Sequence, residues 1–147
     1  MLVATKGRYA LKILIDITKH KDEGFVSAKD ISNRQNISLK YISKILSVYV
    51  KDGVLETQSG KGGGYKLQLE PKEYNVGYIL RLAEGELFPT SCLGCGGEVC
   101  NNSGECPTYP MWEKFFDITN DYFNNITLED FIKDKEKEIS NKKEVTQ

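Results

Sequence analysis

The six residues Ser59-Gly60-Lys61-Gly62-Gly63-Gly64 cannot lie inside a helix or a strand, and they constrain the fold more than any other stretch of the chain. Glycine loses too much backbone freedom on ordering to sit in regular structure at that density. The flanking segments read as strands. Val54-Leu55-Glu56-Thr57-Gln58 is one, and Tyr65, Leu67 and Leu69 alternate with Lys66 and Gln68 in the other, the period-two pattern of a half-buried strand. The expectation is a β-hairpin whose glycine-rich tip carries Ser59 and Lys61. Glycines at such a tip let backbone N–H groups approach a phosphate or enter a minor groove, and Lys61 adds a charge. A phosphate-binding nucleotide loop would end in Gly-Lys followed by Ser or Thr and lead into a helix. Here Lys61 precedes glycines and a strand, so that reading is rejected.

Upstream of the hairpin the pattern is helical. From Gly7 to His20, Ala10, Ile13, Leu14 and Ile17 recur at helical spacing, and Leu11 and Ile15 widen the apolar face. Lys19-His20-Lys21 places positive charge at the last turn, where it complements the helix dipole, and Gly24 ends the segment. Ser27 is a good N-cap with Asp30 three residues on, which starts a short helix from Ala28 to about Arg34. After a turn at Gln35-Asn36, Ser38 caps a third helix from Leu39 to Lys51, with Ile42, Ile45, Leu46, Tyr49 and Val50 on its core side and Gly53 just beyond its end. Two helices joined by a short polar turn make a helix-turn-helix. The outer face of the second carries Lys40, Ser43, Lys44, Ser47 and Lys51, three or four residues apart, with Tyr41 in its first turn. A Lys/Ser stripe alone is also the look of any solvated helix face. The hairpin directly behind it turns the reading toward a winged DNA-binding module, with Ser38, Lys40, Tyr41, Ser43, Lys44, Ser59 and Lys61 as the DNA-binding set.

Charge is divided between the two halves of the chain. The net charge of −1 conceals a balance of +5 over residues 1–70 and −6 over residues 71–147, which suits a protein that meets phosphate with one end only. There is no apolar run long enough to span a membrane and no secretory signal pattern after Met1, so a cytoplasmic location is expected. No cofactor fingerprint or acid–base pair is present, and the single histidine, His20, reads as helix-end charge. The chain does not read as an enzyme, and no small-molecule substrate is expected.

Past Pro71, Val76, Ile79, Leu80 and Ala83 mark a short helix ending near Gly85. All four cysteines then fall within fifteen residues, Cys92, Cys95, Cys100 and Cys106. In a reducing compartment such a nest is a metal or redox site before it is a disulfide framework. Four thiolates saturate an iron–sulfur cluster, and Gly94, Gly96, Gly97 and Gly104 let a short loop wrap it. Four thiolates also make a tetrahedral zinc site, and spacing alone leaves the two level, with an unmetallated thiol switch as the third reading. Cys95 is either a ligand or a spare thiol. From Met111 to Asn125 a long helix carries Trp112, Phe115, Phe116, Ile118, Tyr122 and Phe123. The chain's own core explains part of that aromatic surface and a two-fold partner helix the rest. A homodimer is therefore expected, through Trp112, Phe115, Phe116, Tyr122 and Phe123. Thr127 and Asp130 cap one more short helix, and a charged tail that frays is expected from Lys133. The expected fold is mostly α with a small β wing. It divides into a winged helix-turn-helix (1–85), a cysteine loop (86–109), a dimerisation helix region (110–132) and a flexible tail (133–147).

Several of these stretches together carry a resemblance: Thr5-Lys6-Gly7-Arg8-Tyr9-Ala10-Leu11, Ile37-Ser38-Leu39-Lys40-Tyr41, Gly60 with Gly62-Gly63-Gly64-Tyr65, Ile79-Leu80-Arg81 with Glu84-Gly85, the cysteine loop followed by Trp112, and Thr127-Leu128-Glu129-Asp130. The chain resembles the Rrf2 family of winged-helix repressors, the IscR/NsrR group, from residue 1 to about residue 132. The resemblance implies a homodimeric DNA-binding regulator on a near-palindromic operator. It implies an iron–sulfur cluster, 2Fe–2S before 4Fe–4S and with zinc the lesser alternative, that senses cluster supply, iron, nitric oxide or redox state. Other members of the family lack a cluster and respond to cysteine metabolism through a protein partner. By position Cys92, Cys100 and Cys106 match the family's three ligands, with a gap between the first two that is two residues longer. Tyr109 stands where IscR-like members carry a histidine ligand, and Arg8 occupies the region from which other relatives supply a carboxylate, so Cys95 is taken as the fourth ligand. Ser43 and Ser59 replace a glutamate and an arginine common in the family's recognition helix and wing, and Lys61 stands in for the latter.

Overall fold

The structure, a computed structural model, describes residues 3–94 and 99–133. Cys95 and the tail from residue 134 lie outside the described residues. Among the described residues the named helices and one hairpin follow in the order α1 (Thr5–Lys19), α2 (Ala28–Gln35), α3 (Leu39–Lys51), β1 (Leu55–Gln58), β2 (Gly64–Leu67), α4 (Val76–Glu84) and α5 (Tyr109–Asn124). Short 3₁₀ turns lie at Lys21–Glu23, Pro71–Glu73 and Ser91–Leu93, and residues 128–133 are helical. The mostly helical class with a two-stranded antiparallel sheet agrees with the sequence expectation.

Local chemistry sets most of these boundaries. Ser27 Oγ accepts the Asp30 N–H at 3.1 Å, and Ser38 Oγ accepts the Tyr41 N–H at 3.3 Å, which starts α2 and α3 where the caps predicted. Asn36 takes the left-handed conformation (φ 54°) that closes α2 and turns the chain into α3. The first helix differs. It begins at Thr5 rather than Gly7, and its N-cap, Ala4, has no side chain that can accept a bond. The missing acceptor comes from 77 residues away, where the Glu84 carboxylate takes the Gly7 N–H at 2.8 Å. A carboxylate at a helix amino end also complements the dipole. A Cβ on Gly7 would lie 2.6 Å from that same oxygen, which accounts for glycine in the first turn.

One apolar interior joins the elements. Ile13, Leu14 and Ile17 of α1, Ile42, Ile45 and Leu46 of α3, Ile79 of α4 and Leu128 near the C-terminal end are all buried in it. Leu128 arrives there because backbone bonds from Val76 N to Ile126 O (2.8 Å) and from Leu128 N to Tyr74 O (3.0 Å) pin the chain after α5 to the start of α4. A smaller cluster of Val76, Leu80 and Leu87 packs against Phe123, Ile126 and Phe131. In the hairpin, Leu55 pairs with Leu67 and Gln58 with Gly64, so β2 takes in the last glycine of the run that was expected to lie wholly outside regular structure, where the bonds of Tyr65 to Val26 hold it in line. Leu69, read as the next inward position of the second strand, is 54% exposed. Strand β2 ends at Leu67, one more backbone bond joins Gln68 N to the Val54 carbonyl at 3.0 Å, and the Leu69 N–H then turns to the Tyr74 hydroxyl at 3.1 Å, so the pleat ends before Leu69 is reached.

Candidate functional site

The outer face of α3 is open. Ser38, Lys40, Ser43, Lys44, Ser47 and Lys51 are exposed along it. Tyr41 is half-buried, its ring edge-on to Tyr9 of α1 at 5.7 Å, and Lys12 stands over the Tyr9 ring at 5.8 Å. The first turn of α3 is thereby joined to a cation on α1 that the sequence reading did not include. Spacing within α3 could not reveal it, because the link crosses between helices. Ser47 gives its hydroxyl hydrogen back to the Lys44 carbonyl at 2.7 Å.

The wing stands beside this face with Ser59 and Lys61 exposed at its tip. Two of its glycines have an internal cause besides any nucleic-acid contact. A Cβ on Gly63 would lie 2.2 Å from the Gln58 carbonyl oxygen, and one on Gly64 would lie 2.2 Å from the Val26 carbonyl oxygen. The second clash arises because Val26 and Tyr65 exchange backbone hydrogen bonds of 2.9 and 2.8 Å, so β2 is stitched to the segment leading into α2.

A buried ion pair sets α2 against α1. The Asp16 side chain is 2% exposed and receives Arg34 Nε at 3.2 and 3.0 Å and Nη2 at 2.6 Å, with Gln35 Nε2 at 2.8 Å. Burial alone would raise the carboxyl's pKa. The bonds from Arg34 and Gln35, with the Arg34 charge, outweigh it and hold the group below its ordinary value. His20 is committed to the same corner, its Nδ1 2.8 Å from the Asp16 carbonyl oxygen.

Helix α4 connects α3 with the cysteine loop. Tyr49 of α3 donates its hydroxyl to the Ile79 carbonyl at 2.8 Å, and the Tyr78 hydroxyl donates to Asp52, the C-cap of α3. The bond to Asp52, with burial, pushes the Tyr78 phenol up to about 12. On the other side, Arg81 reaches Asn120 (3.3 Å) and Asn124 (2.9 Å) of α5. Gly77 makes room for this contact, since a Cβ there would lie 2.1 Å from Asn124 Oδ1.

The cysteine loop leaves α4 through Leu87, which is buried, and Phe88, which stacks on Phe116 of α5 at 5.0 Å. Cys92 sits in the 3₁₀ turn Ser91–Leu93, and its carbonyl accepts the Cys100 N–H at 3.0 Å, so these two residues are neighbours across the loop. Successive turns then run from Cys100 O to Ser103 N, from Asn102 O to Cys106 N and from Cys106 O to Tyr109 N, which delivers the chain into α5. Cys92, Cys100 and Cys106 are free thiols, partly exposed. The Thr108 hydroxyl lies 3.3 Å from Cys106 Sγ. That bond, with N–H groups of Thr108 and Tyr109, lowers the Cys106 pKa and favours the thiolate. Among the described residues, no three His, Cys, Asp or Glu side chains are gathered closely enough to hold a single metal ion. The donor set itself is soft, three thiols on one loop, and suits iron–sulfur or zinc chemistry. One further atom fits such a group: Thr90 Oγ1, two residues before Cys92, is buried with no hydrogen-bond partner among the described residues.

On α5, Phe116 and Phe123 turn toward the chain's own loop and smaller cluster, and Trp112 is half-buried. Met111, Phe115, Ile118 and Tyr122 form an exposed apolar stripe, each between 44% and 63% exposed. At its Tyr122 end the stripe meets an apolar groove of about 520 Å³ lined by Leu11, Val76, Phe123, Ile126 and Phe131. Among the described residues no helix is long and apolar enough to cross a membrane.

Comparison with known proteins agrees with this architecture. The model of the Rrf2 family, described as an iron-dependent transcriptional regulator, matches residues 3–134. The HTH-type transcriptional regulator IscR of Pectobacterium carotovorum is 36% identical over 136 residues, which is 92% of this chain and 82% of that protein. Among solved structures, CymR, the global cysteine regulator of B. subtilis, superposes with a TM-score of 0.76 at 32% identity, covering 89% of this chain and 95% of CymR. T. potens IscR gives 0.75 at 32% identity, covering 92% and 88%.

Proposed function

The chain belongs to the Rrf2 family of transcriptional regulators, and from that premise we propose that it is a homodimeric repressor whose grip on DNA is set by an iron–sulfur cluster held in the cysteine loop. Regulation of transcription through DNA is the family's activity. The finer assignments are our reading. The exposed lysines of α3 and the wing tip, Lys40, Lys44 and Lys61, meet phosphates, Ser38 and Tyr41 meet backbone or sugar, and Ser43 and Ser59 face the bases. Lys12 of α1, over the Tyr9 ring that meets Tyr41, extends the basic surface. Two copies joined through the α5 stripe present their recognition helices to half-sites about 34 Å apart on a near-palindromic operator. The continuous run of Met111, Phe115, Ile118 and Tyr122 supports the dimer, since a single copy leaves that surface wet.

The observation that carries the cluster is the loop's construction. Cys92 and Cys100 are joined backbone to backbone, Cys106 follows them through successive turns with the Thr108 hydroxyl 3.3 Å from its Sγ, and the buried Thr90 hydroxyl, two residues before Cys92, lacks a partner among the described residues. Cys92, Cys100 and Cys106 would hold the cluster, with Cys95 as fourth ligand. A polynuclear group spreads its ligands over several irons, which suits these thiols better than one tetrahedral ion does. When bound, the cluster supplies a redox- and oxygen-sensitive bond set that signals can break. The chain's contribution is mechanical: α4 is tied to α3 by Tyr49 and Tyr78 and to α5 by Arg81, so a change at the loop bears on the reading head. A difference of about 1.4 kcal/mol in cluster affinity between two arrangements changes DNA affinity tenfold.

A second reading is a cluster-free regulator acting through a protein partner, and the likeness to CymR is the observation that favours it. One experiment separates them. The full chain is purified without oxygen, its visible spectrum and its iron and sulfide content are recorded, and DNA selected from a random pool is titrated with the metal-loaded and stripped forms. Iron and sulfide, with a change in affinity on stripping, support the cluster switch. A colourless protein with the same affinity throughout sinks it and leaves the partner-dependent regulator. Cys→Ala variants then assign ligands, and cluster retention in the Cys95→Ala variant would remove Cys95 from the set.

A further inference from the structure

Thr90 stands two residues before Cys92 in the cysteine loop and is not among the thiols that would hold the group. Its Oγ1 is shut off from solvent and unpartnered among the described residues. A buried hydroxyl left unpaired is destabilising, and such atoms in folded proteins call for a specific explanation. The position offers an obvious use, because Thr90 is the N-cap of the 3₁₀ turn Ser91–Leu93. Yet its side chain makes no cap bond there, and the turn closes through the Thr90 carbonyl, which takes the Leu93 N–H at 3.4 Å. The hydroxyl is therefore spare, two residues from Cys92 and on the strand of loop that Cys100 binds back to.

We infer that the Thr90 hydroxyl donates a hydrogen bond to a sulfur of the cysteine-bound group, making Thr90 a positioning residue that tunes that group without ligating it. The inference rests on the cluster reading. A threonine hydroxyl carries one donor hydrogen and sulfur is a competent acceptor, so the loop with its cluster contains the partner that the bare loop lacks. A hydrogen bond to sulfur draws off negative charge and favours the reduced, more negative state, which raises the reduction potential. It also fixes the sulfur's orientation, as groups behind a metal's ligands commonly do. The same hydroxyl contributes nothing to the stripped protein, and that asymmetry is what makes the role testable.

The test compares the full chain with its Thr90→Val and Thr90→Ser variants, all purified without oxygen. Three quantities are read: thermal unfolding of the stripped proteins, the midpoint of reductive titration of the loaded ones, and the rate at which a chelator removes their iron. The expected result is a stripped Thr90→Val protein that unfolds at or above the wild-type temperature. Its loaded form should have a lower midpoint and lose iron about tenfold faster, while Thr90→Ser follows the wild type in all three. An unchanged midpoint and iron loss in Thr90→Val would overturn the inference, as would a stripped variant that is destabilised or fails to fold, since either outcome assigns the hydroxyl a different partner. Absence of iron and sulfide from the wild type itself would instead overturn the cluster reading, and is seen before any variant is made.

Discussion

Arg34→Ala should destabilise the folded chain by roughly 2–3 kcal/mol near neutral pH. Removing one partner from a buried ion pair costs about 3–5 kcal/mol, because the remaining charge is stranded. The stranded group here is Asp16, 2% exposed, which would lose the bonds from Nε and Nη2 of Arg34. Two features reduce the loss. The Arg34 side chain is 35% exposed, so water can enter behind it, and Gln35 remains at 2.8 Å. For a chain of 147 residues each kcal/mol moves the melting temperature by about 2–4 °C, so a fall of roughly 4–12 °C is expected. The pH dependence identifies the cause. The folded pKa of Asp16 lies below its ordinary value of 3.8 because the bonds from Arg34 and Gln35 and the Arg34 charge together overcome the opposing effect of burial. A carboxylate depressed in this way contributes stability that is complete above its unfolded pKa and is lost as pH falls through the folded one. Without Arg34 the depression shrinks, so the gap between wild type and variant should be widest near neutrality and narrow below pH 3.8. Melts followed by circular dichroism across that range provide the measurement. Equal melting temperatures near neutrality, or a gap of constant size at every pH, would refute the claim that this charge pair seats α2 on α1.

Three further outcomes are expected. Replacing Lys40, Lys44 or Lys61 by alanine should each flatten the dependence of log affinity on log salt by about one unit, read by fluorescence anisotropy on an operator duplex; a lysine whose loss leaves the slope unchanged makes no phosphate contact. Gly64→Ala places a Cβ 2.2 Å from the Val26 carbonyl oxygen at a φ of +149°, so it should cost about 1–3 kcal/mol and weaken DNA binding; full stability in the variant would show that the hairpin is not seated there. Ile118→Glu, in the middle of the exposed α5 stripe, should convert a sedimenting dimer to a folded monomer, and a dimer that persists would move the interface elsewhere.

What could be read from the sequence was what depends on neighbours along the chain. Ser27 and Ser38 act within three residues, so the starts of α2 and α3 coincide with their caps, and the glycine-rich tip announces a hairpin through backbone entropy alone. The failures are contacts between distant segments. Nothing near Gly7 indicates that Glu84 will cap α1. Asp16 sits beside the apolar positions of α1, and its reason for being buried is supplied by Arg34 and Gln35 on another helix. Leu69 fits the alternation of β2 and is exposed, because Tyr74 takes the backbone off the pleat. On α5 the sequence counted the aromatic residues correctly but could not sort them. Phe88 and the Val76 cluster occupy Phe116 and Phe123, while Met111 and Ile118, absent from the expected dimer set, join the exposed stripe. The cysteines were conspicuous by composition, whereas the Cys92–Cys100 backbone bond depends on how the loop folds back.

The stitch between Val26 and Tyr65 fastens the hairpin at its foot, while Ser59 and Lys61 at the tip are exposed and a Cβ on Gly60 or Gly62 would meet nothing. That makes the tip an exchangeable cassette. Ser59 and Lys61 there can be exchanged for other side chains, provided glycine is kept at 60, 62 and 63, while the foot keeps its grip on the body of the molecule. If the tip meets DNA as proposed, its preference can change through these two side chains without disturbing the bonds that seat the hairpin.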